Sequence, residues 1–487
     1  MSDLAVAGAR GGAANLAAQM ISVLARALSI VILARLLTPD IFGLVAIVYG
    51  ITSFASAIVL FGLPIAALQS DNLTRRAHSS LFFSNVTLGV LIAGALYLAA
   101  GPIGDIYGDP RLVSITHWLA LVPLASGLFA QSNTILLRRL RFTTVSMVEV
   151  TAFLGGTGLA IAGALLGLTW EAVVLQNVAP VVIQAVLIIA LARWVPGIPG
   201  AWQEVRQLVV IGANVFGTNV LSSVGRYLLV PIMGLSVASA PLGAFDRAQQ
   251  LAVVPINATV NRMQRVAVPI LTRVRAEPKR LLAYMHRAQL VVSYLTAPAF
   301  LVLAAIGTPF LVLLLGEDWL TAGQVIEILA VGSVFRALAQ TVQWLFFGAG
   351  ATRAGLLFNL WSQPAILVIS LAGLPWGVVG VAVGNTIAWT LYWPIASVAA
   401  SRAIGLPRGA LIGDPLRCIL QFALPIGLAA AAARWLVPGS DLLRVVLGIA
   451  AGAAVAMLLA FVVPSVRADL RVMKDTALLA VKRRRPR

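Results

Sequence analysis

The chain has 487 residues, of which 60% are hydrophobic and only 11% are charged. Soluble domains carry about 25% charged residues, so this composition excludes a soluble globular protein. The formal net charge is +18, which in a soluble protein would suggest a nucleic-acid partner. Here the basic residues concentrate in alternate loops between apolar runs, a distribution typical of membrane proteins. We therefore expect a polytopic membrane protein that does not bind nucleic acid.

Apolar runs near the length of a membrane-spanning helix follow one another along the whole sequence. They predict an all-α polytopic membrane protein with about 14 transmembrane helices, arranged as two six-helix lobes around a central cavity plus a C-terminal helix pair. The predicted spans cover residues 13–35, 41–67, 80–100, 113–135, 145–168, 171–193, 207–234, 239–265, 287–311, 323–348, 354–374, 377–400, 417–437 and 441–463.

The loops alternate in charge. Loops on one side are basic, such as Arg138 to Arg141 and the tail from Lys482, whereas those on the other side are short and acidic or neutral, such as Gly316 to Trp319. Because positive charge marks cytoplasmic loops, both termini are predicted to be cytoplasmic. The residues before Gly12 lack the pattern of a cleavable signal. The single cysteine, Cys418, excludes an intramolecular disulfide.

The loop between spans six and seven is rich in proline and glycine and marks a domain boundary. We expect an N-terminal lobe over residues 1–200, a C-terminal lobe over 201–405, an extra helix pair over 406–465 and a basic cytoplasmic tail over 466–487. The apolar spacing in that tail is typical of an amphipathic helix on an anionic membrane surface. A solvated basic tail fits the same sequence.

A weak repeat at an offset of 200 residues relates the two predicted lobes. Arg26 matches Arg226, and Gly43 matches Gly243. Six spans separate the copies, so both keep the same membrane orientation and form a parallel repeat. Each arginine falls deep inside an apolar span, where a charged side chain is costly and marks a functional candidate. The repeat therefore predicts a paired cationic site.

Two further spans carry polar stripes. Span eight begins with Asp246 and Arg247 and continues with amide side chains on one helical face, and Arg336 is followed by Gln340 one turn later. Asp246 either pairs with Arg226 or acts as a proton or sodium site. We expect Arg26, Arg226, Arg247 and Arg336 to bind an anionic group, with Gln250, Asn257, Asn261 and Gln340 lining the same cavity. The pattern predicts no catalytic residue, metal site or cofactor.

The hairpin from Ile32 to Ala46, with the sequence ILARLLTPDIFGLVA, resembles the opening hairpin of the Wzx-like polysaccharide flippases. These belong to the multidrug/oligosaccharidyl-lipid/polysaccharide superfamily. The start of span eight, Leu242 to Leu251, is similar to the second-lobe counterpart. Tyrosines usual there are replaced by Ala244 and Phe245. The resemblance supplies no set of invariant functional residues, so the site residues above depend on the physical argument.

The resemblance implies a non-enzymatic carrier in the cell inner membrane. Its substrate would be a polyprenyl-diphosphate-linked glycan for exopolysaccharide, capsule or O-antigen synthesis, and its partners would be membrane lipids and polysaccharide polymerase or export proteins. One alternative is a lipid II or multidrug exporter of the same superfamily, although an arginine-lined cavity repels cationic drugs. A membrane glycan polymerase or ligase is a third possibility, but the predicted periplasmic loops are too short to build its site.

Overall fold

The computed structural model describes residues 25–59, 74–200, 206, 223–407, 409–436 and 439–482, and within them every regular element is a helix. In this part of the chain, ten helical stretches are long and apolar enough to cross a membrane. The predicted all-α polytopic membrane class is thereby confirmed. By its internal contacts the chain divides into two compact units, residues 1–246 and 247–487. The predicted boundary at residue 200 and the central cavity remain predictions.

The first unit is built from helices that largely follow the predicted spans. One difference is that predicted span four is two helices, which meet at Ala120. The helices are α1 (25–36), α2 (Pro39–Val59), α3 (Arg75–Tyr107), α4 (Arg111–Leu119), α5 (Leu121–Arg138), α6 (Phe142–Leu165), α7 (Trp170–Ala192), α8 (223–227) and α9 (Leu229–Gly234), and α10 (Ser239–Val274) begins here.

The second unit contains the rest of α10 and the C-terminal helices. Its core packs α12 against its neighbours α11 and α14 around the buried side chains of Trp344, Phe346 and Trp393. The helices are α11 (Pro278–Leu315), α12 (Leu320–Gly348), α13 (Thr352–Leu371), α14 (Gly377–Ile404), α15 (Gly413–Cys418), α16 (Leu424–Leu436), α17 (Asp441–Val462) and α18 (Pro464–Lys482).

The described part of predicted span seven, from residue 223, is two short helices and not one continuous helix. The helix bends at Leu228, between α8 and α9. Pro231 has no N–H group to donate to the Tyr227 carbonyl four residues earlier, which weakens the helix at this point. A methyl group added at Gly50 of α2 would lie 2.6 Å from that carbonyl oxygen. The bend therefore packs tightly against α2 at a position where only glycine fits.

The sequence repeat corresponds to a reciprocal contact in the first unit. A Cβ atom added at Gly43 would lie 1.9 Å from the Ser239 carbonyl oxygen, and one added at Gly243 would lie 1.9 Å from the Pro39 carbonyl oxygen. Gly43 thus contacts Ser239, which is the repeat equivalent of Pro39, and Gly243 contacts Pro39. Such an exchange is the geometry of a two-fold related interface. The N-terminal ends of α2 and α10 therefore cross about a local pseudo-two-fold axis.

An ion pair fixes α16 to the α11–α12 hairpin. Arg434 Nη1 lies 2.5 Å from Glu327 Oε1 and donates a hydrogen bond to the Ala305 carbonyl oxygen at 2.8 Å. Pro309 leaves that carbonyl without its usual helical donor. Glu327 also accepts a hydrogen bond from the Thr308 backbone N–H at 2.8 Å. The arginine therefore satisfies a carbonyl that a proline has released and neutralises a carboxylate between helices.

The first half of α18 is docked on the second unit. Val466 is buried in a cluster with Tyr294, Cys418 and Phe422, and Leu470 packs beside it. These are residues of the apolar face that the amphipathic pattern assigned to the membrane surface. At its N-terminal half, that face covers protein.

A buried carboxylate anchors this docked helix. Asp469 is 7% exposed, accepts two hydrogen bonds from Arg417 Nη2 at 2.9 and 2.8 Å, and accepts one from the Tyr294 hydroxyl at 2.9 Å. On the same cluster, His286 Nδ1 lies 2.9 Å from Asp414. These contacts join α11, α15 and α18.

Replacing Asp469 with alanine should release α18. Hydrogen bonds to a charged group contribute about 1.5–3 kcal/mol each, which is as much as the burial of the Val466 side chain contributes to docking. Limited trypsin digestion should cut faster at Arg471, which is exposed. Asp469→Asn, which keeps an acceptor for Tyr294, should show an intermediate rate. Equal cleavage of Asp469→Ala and the unsubstituted protein would contradict this anchoring role.

Candidate functional site

Arg26 lies near the start of the described part of α1, and its guanidinium stacks on an aromatic ring of α6. The Arg26 Cζ atom is 4.6 Å from the centroid of the Phe153 ring. Although it stacks, the side chain is exposed on the protein. A planar guanidinium that covers a ring with one face keeps its N–H groups in plane and available to an anion. The arrangement suits an arginine that binds a ligand within an apolar span.

Arg226 lies next to an aromatic residue of its own helix. It lies on α8, two residues before the bend at Leu228, with its Cζ atom 5.9 Å from the ring of its neighbour Tyr227, and its side chain is exposed. Tyr49 of α2 hydrogen bonds with Ser53 and lies within electrostatic range of Arg26, Tyr227 and Asp246.

The beginning of α10 carries the polar residues predicted for span eight. Arg247 is 5% exposed, whereas Asp246 and Gln250 are half-buried. All three side chains take part in interactions within the protein. Whether Asp246 serves as a pairing partner or as an ion site therefore stays a hypothesis. The side chains of Asn257 and Asn261 lie outside the described residues.

Arg336 lines a small cavity in the second unit. Its Cζ atom is 4.9 Å from the centroid of the Trp389 ring on α14. The cavity is small and partly open, and Gln249 of α10, Ser333 of α12 and Asn385 of α14 complete its polar lining. Gln340, one turn after Arg336, is half-buried. The site thus combines one cation, an aromatic face and neutral hydrogen-bonding groups.

The structure gathers the predicted residues into two groups. Arg26 and Asp246 lie within electrostatic range of Tyr49 in the first unit, and Arg336 lies with Gln249 in the second. The single arginine-lined cavity remains a prediction. Sequence reasoning missed the aromatic partners Phe153 and Trp389. Their only signal is an aromatic residue inside a predicted span, which does not reveal an arginine partner on another helix.

Comparison with known proteins places this geometry in context. Residues 32–324, more than half of the chain, match the family model described as "Polysaccharide biosynthesis protein". The chain is 24% identical to the teichuronic acid biosynthesis protein TuaB of Bacillus subtilis (strain 168), over 66% of each protein. It is 22% identical to the lipopolysaccharide biosynthesis protein WzxC of Escherichia coli (strain K12), over 72% of each.

A third relative is the succinoglycan biosynthesis transport protein ExoT of Rhizobium meliloti (strain 1021). It is 23% identical over 62% of this chain and 61% of that protein. The matches with TuaB and ExoT thus span slightly less than two thirds of those relatives' lengths.

Solved structures share the fold. The lipid II flippase MurJ in an inward closed conformation superposes with a TM-score of 0.72 at 13% identity, covering 92% of this chain and 97% of MurJ. An inward-facing multidrug resistance MATE transporter of the MOP superfamily gives 0.61 at 14% identity, covering 79% and 95%. These likenesses show the fold alone. The family is assigned from the match of residues 32–324. The chain belongs to the family described as "Polysaccharide biosynthesis protein".

Proposed function

We propose that this protein is a flippase that moves undecaprenyl-diphosphate-linked oligosaccharide across the inner membrane for exopolysaccharide, capsule or O-antigen synthesis. The observation that carries the proposal is Arg336, which lies within a membrane-spanning helix, stacks on Trp389 and lines an open polar cavity. Family membership supports the same function, since ExoT is named a transport protein for succinoglycan biosynthesis.

The chemistry of the arginines suits a diphosphate. A guanidinium stays charged when it loses water and donates two parallel hydrogen bonds to phosphate oxygens. A charge at mid-span costs about 2.5–3.5 kcal/mol on insertion scales, and a desolvated cation–π contact returns about 2 kcal/mol. Trp389 therefore offsets much of the cost of the half-buried Arg336, and Phe153 offsets less of the cost of Arg26, whose side chain is exposed on the protein.

Transport would proceed by alternating access. Arg26 and Arg226 hold the diphosphate, with Arg247 and Arg336 as further candidates, while the glycan occupies the polar interior and the prenyl chain stays in the lipid. Movement of the lobes then exposes the site to the periplasm. Asp246 is the candidate for coupling to a proton or sodium gradient. Both termini face the cytoplasm, and polysaccharide polymerase or export proteins take the product.

Deletion and complementation test the proposal. In a strain that makes a lipid-linked polysaccharide, deletion of this gene should abolish surface polymer and cause its lipid-linked repeat unit to accumulate, and the cloned gene should restore both. A lipid II flippase would instead be required for growth, so loss of viability on deletion in a strain with no polysaccharide production would favour that alternative. Unchanged polymer export after deletion would overturn the proposed function.

A further inference from the structure

Three helices of the second unit share a polar network that the binding of a diphosphate does not use. Gln343 of α12 donates a hydrogen bond from Nε2 to the hydroxyl oxygen of Tyr392 on α14 at 2.7 Å, and one to Asn359 Oδ1 of α13 at 3.2 Å. The Tyr392 hydroxyl donates to Asn359 Oδ1 at 3.1 Å. The network therefore joins two amides and a phenol between helices that cross the membrane.

This amide–tyrosine network (Gln343, Asn359 and Tyr392) adjoins the cavity at Arg336. The Tyr392 ring meets the Trp389 ring edge to face, with centroids 5.2 Å apart, and the Trp389 ring also stacks on the guanidinium of Arg336. Along α12, Gln343 follows Arg336 by seven residues, or about 10 Å of helix rise. A group bound at Arg336 therefore has the network within the reach of one or two sugar rings.

The amide end of the network is not sealed in the core. Gln343, Asn359 and the neighbouring Trp389 are half-buried, so each presents part of its surface outside the packed interior, whereas Tyr392 is 5% exposed and belongs to the core. A contrasting pair on the same helices, Asn385 and Ser370, is buried and closes its own hydrogen bond at 3.1 Å. Amides partly exposed at membrane depth are costly unless they face water or a polar ligand. The two amides of the network therefore have the exposure of a binding surface, and the buried Tyr392 holds them in place from the core side.

The hydrogen-bonding capacity of the network is also incomplete. Asn359 Nδ2 and Gln343 Oε1 are 3.5 Å apart, a weak bond, which leaves an amide donor and an amide acceptor for another partner. Each amide carries both a donor and an acceptor, as a sugar hydroxyl does. The Trp389 ring adds a flat apolar surface that suits the C–H face of a pyranose ring. Because the network is neutral, it is poorly matched to a diphosphate.

We infer that Gln343, Asn359, Tyr392 and Trp389 form a carbohydrate-binding subsite that holds the first sugars of the substrate while Arg336 holds its diphosphate. The inference rests on the proposed flippase function and adds to it a location for glycan recognition. The inference assigns affinity for the lipid and specificity for the glycan to different residues. Arg336 provides affinity for any polyprenyl diphosphate, and the amide–tyrosine network provides preference for one that carries sugar.

Binding to the purified full-length protein in nanodiscs tests this separation, with two probes. One is undecaprenyl diphosphate without sugar, and the other is the lipid-linked oligosaccharide extracted from the producing strain. The protein should bind the glycan-bearing lipid more tightly. The double variant Gln343→Ala/Asn359→Ala should reduce this preference about tenfold, the loss expected for two hydrogen bonds, and leave binding of undecaprenyl diphosphate unchanged. Arg336→Gln should weaken both probes equally.

Two further variants distinguish a loss of glycan binding from a loss of helix packing. Tyr392→Phe keeps the ring and removes only the hydroxyl, so it should lower the preference without unfolding the protein. Thr341→Ala on the same helix removes a buried hydroxyl that bonds to the Leu338 carbonyl, and it should leave the preference unchanged. A wild-type preference in both Gln343→Ala/Asn359→Ala and Tyr392→Phe would overturn the inference. Failure of Arg336→Gln alone to weaken binding would instead contradict the diphosphate site.

Discussion

Replacing Gly43 with valine should destabilise the first unit by more than about 3 kcal/mol, at the upper end for overpacked sites, because the obstacle is backbone and not a flexible side chain. The added Cβ atom would lie 1.9 Å from the Ser239 carbonyl oxygen, so α2 and α10 would have to move apart. We expect a sharp drop in the yield of monodisperse protein after detergent extraction, and a lower melting temperature for what remains.

Gly94→Val on α3 is the matched control, since nothing lies within 4 Å of a Cβ atom added there. Gly243→Val should have the same effect as Gly43→Val, because the two glycines meet each other's helices in exchange. The double variant should then cost less than the sum of the single ones, since one separation of the helices relieves both clashes. Additive losses, or a Gly43→Val protein as stable as Gly94→Val, would contradict the reciprocal contact.

Arg26→Ala and Arg336→Gln should each abolish polysaccharide export while the protein still inserts into the membrane. Each change removes a cation that the proposed mechanism uses to hold the diphosphate, and charge-assisted hydrogen bonds of this type contribute about 1.5–3 kcal/mol, or a factor of roughly 10–100 in affinity. Export is measured as surface polymer in the complemented deletion strain, with immunoblotting of membranes as the measure of insertion.

Changes to the aromatic partners should have smaller effects. Phe153→Leu keeps apolar volume but removes the cation–π contact, which should reduce export about two- to fivefold. Arg353→Gln, at an exposed position on α13, is the control for loss of an arginine and should export normally. Normal export in both Arg26→Ala and Arg336→Gln would exclude the arginines from the transport site.

The fold class was predictable because hydropathy and charge are local properties of the sequence. Each apolar run reports its own transfer free energy to the bilayer, whatever the other helices do. The same reasoning found α10 unusually polar, and this helix is not among the described stretches apolar enough to cross a membrane. It did not find the bend at Leu228. Pro231 weakens a helix wherever it occurs, but whether the helix bends depends on what packs beside it.

The sequence did not identify which residues contact each other across different helices. The repeat singled out Gly43 and Gly243, yet only their packing shows that they touch. Arg434 and Glu327 are separated by 107 positions along the chain, and no local pattern joins them. The same holds for Arg336 and Trp389, whose stacking depends on how α12 and α14 pack. Sequence reasoning therefore found the charged candidates and missed the uncharged groups that position them.

The most direct measurement is translocation of lipid-linked oligosaccharide by the purified protein in proteoliposomes. Substrate with a fluorescent label on its glycan is placed in the membrane, and the fraction protected from a membrane-impermeant quencher is followed over time. The unsubstituted protein should move label across the bilayer, and the Arg26→Ala/Arg336→Gln double variant should match empty liposomes. Translocation by the double variant at the unsubstituted rate, or none by the unsubstituted protein, would contradict an arginine-based flippase.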